Sequence, residues 1–256
     1  MKNGTSGGTK WVDVAPERFP GWVVSFGRRH RGNGEDETLA VAVTGENVTF
    51  TAPDGAVAEC HPPFPPLGDN SNMRAAGEAA RMAEAVAAHA RRPRTVGIFL
   101  VRLGGYAVGV FTGYPPALAD AKTGSRLVHG RSAAGGWSQH RFARRREKQA
   151  SEALDAAARA AADVFGRWGE TRGRSGELIT ARSGGAAAAR KPQLDAVVLG
   201  GDKRAMAELR QDPRLAPYLS IATDRFLTVP DPKRAVLEAT PRLFLAVRIR
   251  LTEPAS

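Results

Sequence analysis

Glycine, amide and basic residues follow one another within residues 130–149, and these residue types can do chemistry together. Gly135 and Gly136 allow backbone conformations that are closed to other residues, and they let the chain approach another molecule closely. Ser138 and Gln139 follow them. A glutamine has no useful pKa, but it donates and accepts hydrogen bonds at once, so it can orient a water molecule or a leaving group. The stretch is therefore a candidate catalytic loop.

A dense basic run follows this loop, where the sequence predicts the start of a long helix. A helix N-terminus carries partial positive charge, so a basic side chain there costs from a few tenths to about 1 kcal/mol. An anion at the same place would be held by the basic side chains and by the free N–H groups. We therefore predict a phosphate-binding site; the alternative is an exposed basic face with no partner. The basic residues are Arg141, Arg144, Arg145, Arg146 and Lys148.

Apolar and small residues recur at steps of three and four after the loop, which is the period of an amphipathic helix. Gly169 is predicted to end this helix. Its stripe is formed by Phe142, Ala150, Ala153, Leu154, Ala157, Ala161, Val164, Phe165 and Trp168.

Two apolar runs before the loop, residues 95–101 and 106–111, predict a hairpin around Gly104 and Gly105. Residues 126–129 are predicted as a third strand that leads into the loop. The order strand, strand, strand, loop, long helix predicts an α/β domain in which the helix covers one face of a mixed sheet. Two-metal nucleases hold their metal ions with clustered carboxylates, and these three runs contain no acidic residue, so we expect no metal.

The loop and its basic continuation resemble a known family. Gly135-Gly136-Trp137-Ser138-Gln139, followed by Arg141-Phe142-Ala143-Arg144-Arg145-Arg146, is similar to the catalytic loop of the Vms-like release factors in their actinobacterial peptidyl-tRNA hydrolase branch. That family is related to the catalytic middle domain of the eukaryotic and archaeal class I release factors. The resemblance covers about residues 93–256. It implies an RNase H-like domain whose loop enters the peptidyl transferase centre of the large ribosomal subunit and frees the nascent chain from tRNA.

The spacing within the loop departs from that of ordinary termination factors, in which the glutamine directly follows the two glycines. Here Trp137 and Ser138 intervene before Gln139, as in the Vms-like branch. Eukaryotic members of that branch are associated with cutting the tRNA near its 3′ CCA end, which also liberates the peptide. The resemblance therefore leaves the scissile bond open.

The resemblance also implies a role for each residue of the loop. Gln139 would orient the attacking water, Gly135 and Gly136 would let the loop thread into the centre, and Ser138 belongs to the same catalytic motif. Trp137 would stack on an exposed base, or alternatively anchor the loop as a hydrophobic plug. The residues expected to bind RNA are Arg131, His140, Arg141, Arg144, Arg145, Arg146 and Lys148.

Three functions are consistent with these residues. The first is a peptidyl-tRNA hydrolase that acts on stalled ribosomes and has peptidyl-tRNA and the large ribosomal subunit as partners. The second is an endonuclease that cuts the tRNA 3′ end, with His129 and His140 as base and acid because histidine titrates near working pH. The third is a non-catalytic RNA-binding protein, for which the basic helix suffices.

Composition agrees with a polyanionic partner. The 256 residues include 37 basic and 26 acidic residues, a formal net charge of +11, and this charge favours nucleic acid. Cys60 is the only cysteine, which excludes an intramolecular disulfide and a cysteine cluster for zinc. Residues 1–10 lack the apolar core of a secretory signal, and no apolar run approaches the roughly 20 residues that span a bilayer. We expect a cytoplasmic monomer without cofactor or membrane contact.

The N-terminal part, residues 1–92, is predicted to be a small α+β module. Residues 39–43 and 48–51 predict a hairpin, and a helix over residues 74–90 is predicted to bury one stripe of small and apolar residues. The release-factor-like catalytic domain is predicted to follow as residues 93–256, with its loop at residues 130–140. The stripe of the N-terminal helix is formed by Ala79, Met82, Ala83, Val86 and Ala87.

Three features are predicted for the C-terminal third. Residues 170–191 are rich in glycine and alanine and are expected to form an exposed insertion. Residues 194–199 predict a buried strand, and the glycines that follow predict a tight turn into a helix. The alternative is a phosphate of a nucleotide cofactor at the helix N-terminus, but the spacing matches neither nucleotide-binding fingerprint, so the turn is preferred. Residues 243–251 are predicted to close the second domain as an edge strand with one charged face.

Overall fold

The structure is a computed structural model that describes residues 9–31, 38–67, 78–102, 104–125, 139–168, 171–172, 178–179 and 193–254. Within these ranges, the side chains of residues 139–146, 171–172 and 178–179 are not described. The chain divides into two compact units. The first is Met1–Arg92 together with Arg242–Ser256, and the second is Pro93–Pro241.

The helices and strands follow one another as a mixed α/β series. A short 3-10 helix, Pro16–Arg18, precedes the first α-helix. In chain order the elements are β1 (Thr9–Val14), α1 (Phe19–Arg29), β2 (Ala40–Thr44), β3 (Asn47–Thr51), β4 (Val57–His61), α2 (Glu78–Ala90), β5 (Arg94–Arg102), β6 (Gly105–Gly113), β7 (Ala117–Ser125), α3 (Gln139–Gly166), β8 (Thr171–Arg172), β9 (Leu178–Ile179), β10 (Ala196–Gly201), α4 (Lys203–Leu209), α5 (Ala216–Leu219), β11 (Ala222–Leu227), α6 (Arg234–Glu238), α7 (Pro241–Phe244) and β12 (Val247–Thr252).

The first unit is an antiparallel five-stranded sheet in the order β1-β12-β4-β3-β2. Alternation along the strands places one set of side chains in the core, for example Phe50 and Ile249, which are fully buried. Helices α1 and α2 pack on this set through side chains such as Phe26 and Met82. The predicted hairpin is confirmed as β2 and β3, and the predicted helix over residues 74–90 is described as α2 from Glu78 onward, with Met82, Ala83, Val86 and Ala87 buried as predicted.

The last strand corrects a prediction. Residues 243–251 were expected to form an edge strand of the second domain, but β12 lies inside the sheet of the first unit, where it pairs with β1 and β4. The predicted alternation is present, because Val247, Ile249 and Leu251 are buried while Arg248 and Arg250 are exposed. Alternation shows that one face of a strand is buried, but it does not identify the neighbouring strands.

The second unit contains a mixed five-stranded sheet in the order β11-β10-β5-β6-β7. Strand β10 runs parallel to both β5 and β11, whereas β5, β6 and β7 are antiparallel neighbours. Helix α3 packs on this sheet through a row of buried residues that includes Ala161, Val164 and Phe165. A Cβ on Gly97 would lie 2.9 Å from the Phe165 ring, so the glycine in β5 lets this ring rest on the sheet.

The predicted order of three strands followed by a long helix is confirmed, but the third strand is Ala117–Ser125. The predicted third strand, residues 126–129, lies outside the described residues. The observed β7 contains Asp120, so the expectation that the three strands lack acidic residues was wrong. The mixed α/β fold as a whole is as predicted. No helix in the described part of the chain is both long enough and apolar enough to cross a membrane.

Candidate functional site

Helix α3 begins at Gln139, and the predicted loop before it lies outside the described residues. The helix has 28 residues and is therefore about 42 Å long. The other loop residues expected to act, Arg131, Gly135, Gly136, Trp137 and Ser138, lie outside the described residues. The backbone of α3 includes Gln139, His140, Arg141, Arg144, Arg145 and Arg146, but their side chains are not described, so their roles remain predictions.

The first turn of α3 contains no acidic residue that would complement the helix dipole. Farther along the helix, Glu147 and Lys148 are both exposed. The first turn therefore has no acidic residue to balance the basic residues of the sequence. Lys148 is exposed, so an anionic partner can reach its side chain.

The distal half of α3 is the part that holds the helix on the sheet. Leu154 is half-buried, and Ala157, Ala158 and Ala161 are at most 1% exposed. Among the described side chains of α3, burial therefore increases away from the loop. The predicted apolar stripe is confirmed from residue 150 onward, since its members there are half-buried or buried.

An ion-pair cluster ties the end of α3 to the edge strand β7. The Arg167 guanidinium, just beyond the helix, donates two hydrogen bonds to Asp120, of 2.8 and 3.0 Å, and the Trp168 indole donates a third of 3.4 Å. Lys122 of β7 also pairs with Asp163, at 3.1 Å. The Arg167 guanidinium holds the pKa of the Asp120 carboxyl below its ordinary value. Asp120 is therefore an ionised partner of α3.

A second cluster ties the middle of α3 to the segment between α4 and α5. Arg214 donates a hydrogen bond of 2.7 Å to Asp155 of α3 and also binds Asp212. Both carboxyls have a pKa below the ordinary value, chiefly because of these hydrogen bonds from Arg214. Arg167 and Asp120 are 47 residues apart in sequence, and Arg214 and Asp155 are 59 residues apart, so no local pattern predicts either pair.

The segment that contains the loop has a fixed attachment at each end. Ser125 is the last residue of β7 and pairs with Gly105 of β6, and Gln139 is the first residue of α3. The Asp120 cluster joins β7 to the other end of α3, at Arg167 and Trp168.

The turn after β10 is the tight strand-to-helix turn that the sequence predicts. Gly201 has φ of +101°, a value that favours glycine, and Asp202 then caps α4. The Asp202 carboxylate accepts hydrogen bonds from the backbone N–H groups of Arg204 and Ala205, at 2.7 and 3.1 Å. Among the described residues, no group of three or more His, Cys, Asp or Glu side chains lies close enough together to hold a metal ion.

Solved structures with low sequence identity resemble this chain. The structure described as the Vms1 mitochondrial localization core is 9% identical, with 81% of this chain and 76% of that chain covered and a TM-score of 0.32. The archaeal translation termination factor aRF1 is 10% identical, with 94% and 68% covered and a TM-score of 0.34. Archaeoglobus fulgidus Pelota is 10% identical, with 95% and 66% covered and a TM-score of 0.25. No curated protein matches the sequence.

A family match covers most of the second unit and continues into β12. It begins at Arg94, the first residue of β5, and ends at Arg250. It therefore includes the hairpin, the loop, α3 and the strand-to-helix turn after β10. Because the matched residues 94–250 make up more than half of the sequence, the chain belongs to the Actinobacteria/chloroflexi VLRF1 release factor family.

Proposed function

We propose that this release factor is a peptidyl-tRNA hydrolase that frees nascent chains from tRNA on stalled ribosomes, and that it acts as a cytoplasmic monomer. The observation that carries the proposal is the position of Gln139, the first residue of the long helix in a chain of this family. A side chain at the start of a helix has an ordered backbone, and it can reach a substrate that the preceding segment approaches.

Each residue of the loop has a role in the proposed reaction. Gln139 orients the water that attacks the ester between peptide and tRNA, because its amide can donate and accept at once. Gly135 and Gly136 let the backbone approach the substrate, while Ser138 completes the motif and Trp137 stacks on a base. Phosphates of rRNA or tRNA are bound by Arg131, His140, Arg141, Arg144, Arg145, Arg146 and Lys148.

The division of α3 into two halves supports this proposal. Its distal half is buried on the sheet, Asp120 of β7 binds Arg167 just beyond its end, and Asp155 binds Arg214 of the segment between α4 and α5. The helix is therefore held in the domain while its basic end binds RNA. The cost of clustering positive charge at a helix N-terminus is recovered when RNA phosphates neutralise it.

The proposal is tested by incubating ribosome-bound peptidyl-tRNA with the wild-type protein and with Gln139→Ala. We expect at least a tenfold loss of peptide release in the variant, with ribosome binding unchanged. Gln149→Ala is the matched control, because it makes the same change farther along the same helix, and it should release peptide at the wild-type rate. Equal release by wild type and Gln139→Ala would overturn the proposal.

The tRNA product separates the proposed reaction from its alternatives. Hydrolysis of the ester leaves an intact CCA end, whereas an endonuclease that uses His129 or His140 leaves a shortened tRNA with a cyclic or 3′ phosphate. A non-catalytic protein releases no peptide at all. In that last case Arg145→Ala would still lower the salt dependence of RNA binding, by a slope of about 0.7–0.9 for each phosphate that the variant no longer neutralises.

A further inference from the structure

A cavity of about 450 Å³ lies in the second unit, at the carboxyl ends of the parallel neighbours β5 and β10. In open α/β sheets, ligands bind outside the carboxyl ends of such strands. The volume lies within the range of about 300–1,000 Å³ that is usual for small-molecule sites. Its wall includes Tyr106, Gly124, Ala153, Leu154, Asp202 and Arg204.

One part of the cavity wall is formed by an aromatic ring and apolar side chains. Tyr106 lies directly opposite Gly124 across β6 and β7, and a Cβ on Gly124 would be 2.6 Å from the tyrosine ring. The glycine therefore leaves the ring room to lie against the strand. Ala153 and Leu154 of α3 are half-buried and add small apolar surfaces. A planar ring fits between an aromatic face and short side chains.

Asp202 and Arg204, at the start of α4, are among the polar residues of the cavity wall. Oδ1 of Asp202 accepts two backbone N–H bonds, and within the described part of the chain no hydrogen bond is made to its Oδ2. A carboxylate after a strand of this kind is suited to ribose hydroxyls. Nε of Arg204 lies 3.8 Å from Oε1 of Glu208. The Arg204 side chain is 92% exposed, so its guanidinium is accessible to a phosphate.

We propose that this cavity binds one ribonucleotide, with its base on Tyr106, Ala153 and Leu154, its ribose hydroxyls on Asp202 and its phosphate on Arg204. The cations Arg102 and Arg204 are balanced by Asp202 and Glu208 in the cavity wall, so phosphate alone is too weak a ligand and the base must contribute. The nucleotide comes either from a free mononucleotide pool or from the 3′ end of an RNA. Only the second source rests on the proposed function.

Binding is tested by calorimetry with the four ribonucleoside monophosphates and their deoxy counterparts. We expect saturable binding of at least one ribonucleotide, weaker binding of its deoxy form, and no binding of inorganic phosphate. Ala153→Trp fills the cavity and should weaken binding at least tenfold. Ser151→Trp, at an exposed position of the same helix, should leave binding unchanged.

Two milder variants keep the test independent of folding. Arg204→Ala removes an exposed side chain and should weaken nucleotide binding severalfold. Asp202→Asn keeps a capping side chain and should reduce the preference for ribose over deoxyribose. If ribonucleotides fail to bind, or bind equally to Ala153→Trp, the proposal is wrong. Binding of apolar peptides in place of nucleotides would also overturn it.

A short RNA distinguishes the two sources. A trinucleotide with a free 3′ hydroxyl that binds more tightly than any mononucleotide, and loses this binding in Ala153→Trp, identifies the RNA end as the ligand. Equal affinity for the mononucleotide and the trinucleotide identifies the free nucleotide. Neither measurement uses the ribosome or Gln139, so failure of the proposed hydrolase activity would leave the outcome readable.

Discussion

Gly201 is a position where only glycine fits, because the backbone of the neighbouring strand β5 comes very close to it. Its φ is +101°, and a Cβ at this position would lie 2.0 Å from the carbonyl oxygen of Val101 in the neighbouring strand. Gly113 has φ of +79° but no atom within 4 Å of the corresponding point. A side chain at Gly113 would therefore meet only the strain of a positive φ, whereas a side chain at Gly201 would meet that strain and a steric overlap as well.

We expect Gly201→Ala to destabilise the protein more than Gly113→Ala does. The second variant carries only the strain of a positive φ, about 1–2 kcal/mol, whereas the first must also move the end of β10 away from β5. Urea denaturation of both variants gives the two free energies of unfolding. Equal losses would mean that the neighbouring strands shift at no cost.

His30 and Asp54 form a partly buried pair in the first unit. His30 is 9% exposed, and its Nδ1 lies 2.9 Å from Oδ2 of Asp54, while its Nε2 lies 3.5 Å from Glu253. The pKa of Asp54 is held below its ordinary value, first by the hydrogen bond from the Ala56 N–H group and then by His30. The pair therefore links the end of α1 to the turn between β3 and β4.

The lowered pKa of Asp54 predicts a pH dependence of stability. A carboxyl with a lower pKa in the folded state stabilises the protein above its unfolded pKa, about 3.9. This contribution is lost as the pH falls through the folded value. Asp54→Asn should therefore be less stable than wild type at pH 7, with the difference shrinking toward pH 2. Asp13→Asn removes an exposed charge in the same unit and serves as the control in urea titrations.

At the scale of elements, α3 is held by close packing along its distal half. Ala161 is fully buried against the sheet, whereas its neighbour Ala162 is only half-buried. Small residues in the buried row let the helix lie close to β6. The helix therefore depends on the size of these residues as well as on their apolar character.

Ala161→Leu should lower the free energy of unfolding by about 1–3 kcal/mol, because the added carbons overfill a packed interface. Ala162→Leu adds the same carbons at the edge of the interface and should change stability by less. Thermal or urea unfolding of the two variants compares them directly. A larger loss for Ala162→Leu would show that the helix is rotated relative to the sheet.

At the scale of the whole molecule, the chain returns to its first unit at its end. Arg242–Ser256 belongs with Met1–Arg92, and β12 separates β1 from the other strands of that sheet. The first unit therefore cannot complete its sheet until the second has been synthesised.

Ile249→Ala should cost about 2–5 kcal/mol, since Ile249 is fully buried in β12, between β1 and β4. Hydrogen exchange should increase in β1 and β4, its neighbours in the first unit, and change less in the sheet of the second unit. Arg248→Ala, the exposed neighbour in the same strand, should cost about 1 kcal/mol or less. Increased exchange spread equally over both sheets would contradict this assignment of β12.

Much of the local structure follows from periodicity in the sequence. The hairpin of β2 and β3, the hairpin of β5 and β6, and the buried stripes of α2 and α3 all follow from the spacing of apolar residues. Helix α3 itself also follows from a helical period, which the sequence predicts after a glycine-rich stretch. Strand β7 was not predicted, because an edge strand with few buried side chains has no strong apolar alternation.

The tertiary structure alone decided which distant elements meet. The alternation in β12 showed that one face is buried, yet only the pairing with β1 and β4 placed it in the first unit. Asp120 and Arg167, Asp155 and Arg214, and the walls of the cavity come together across many residues. The sequence by itself determined the local periods of the helices and hairpins, because these depend on neighbouring residues. Long-range contacts depend on how complete faces pack, so only the folded chain decides them.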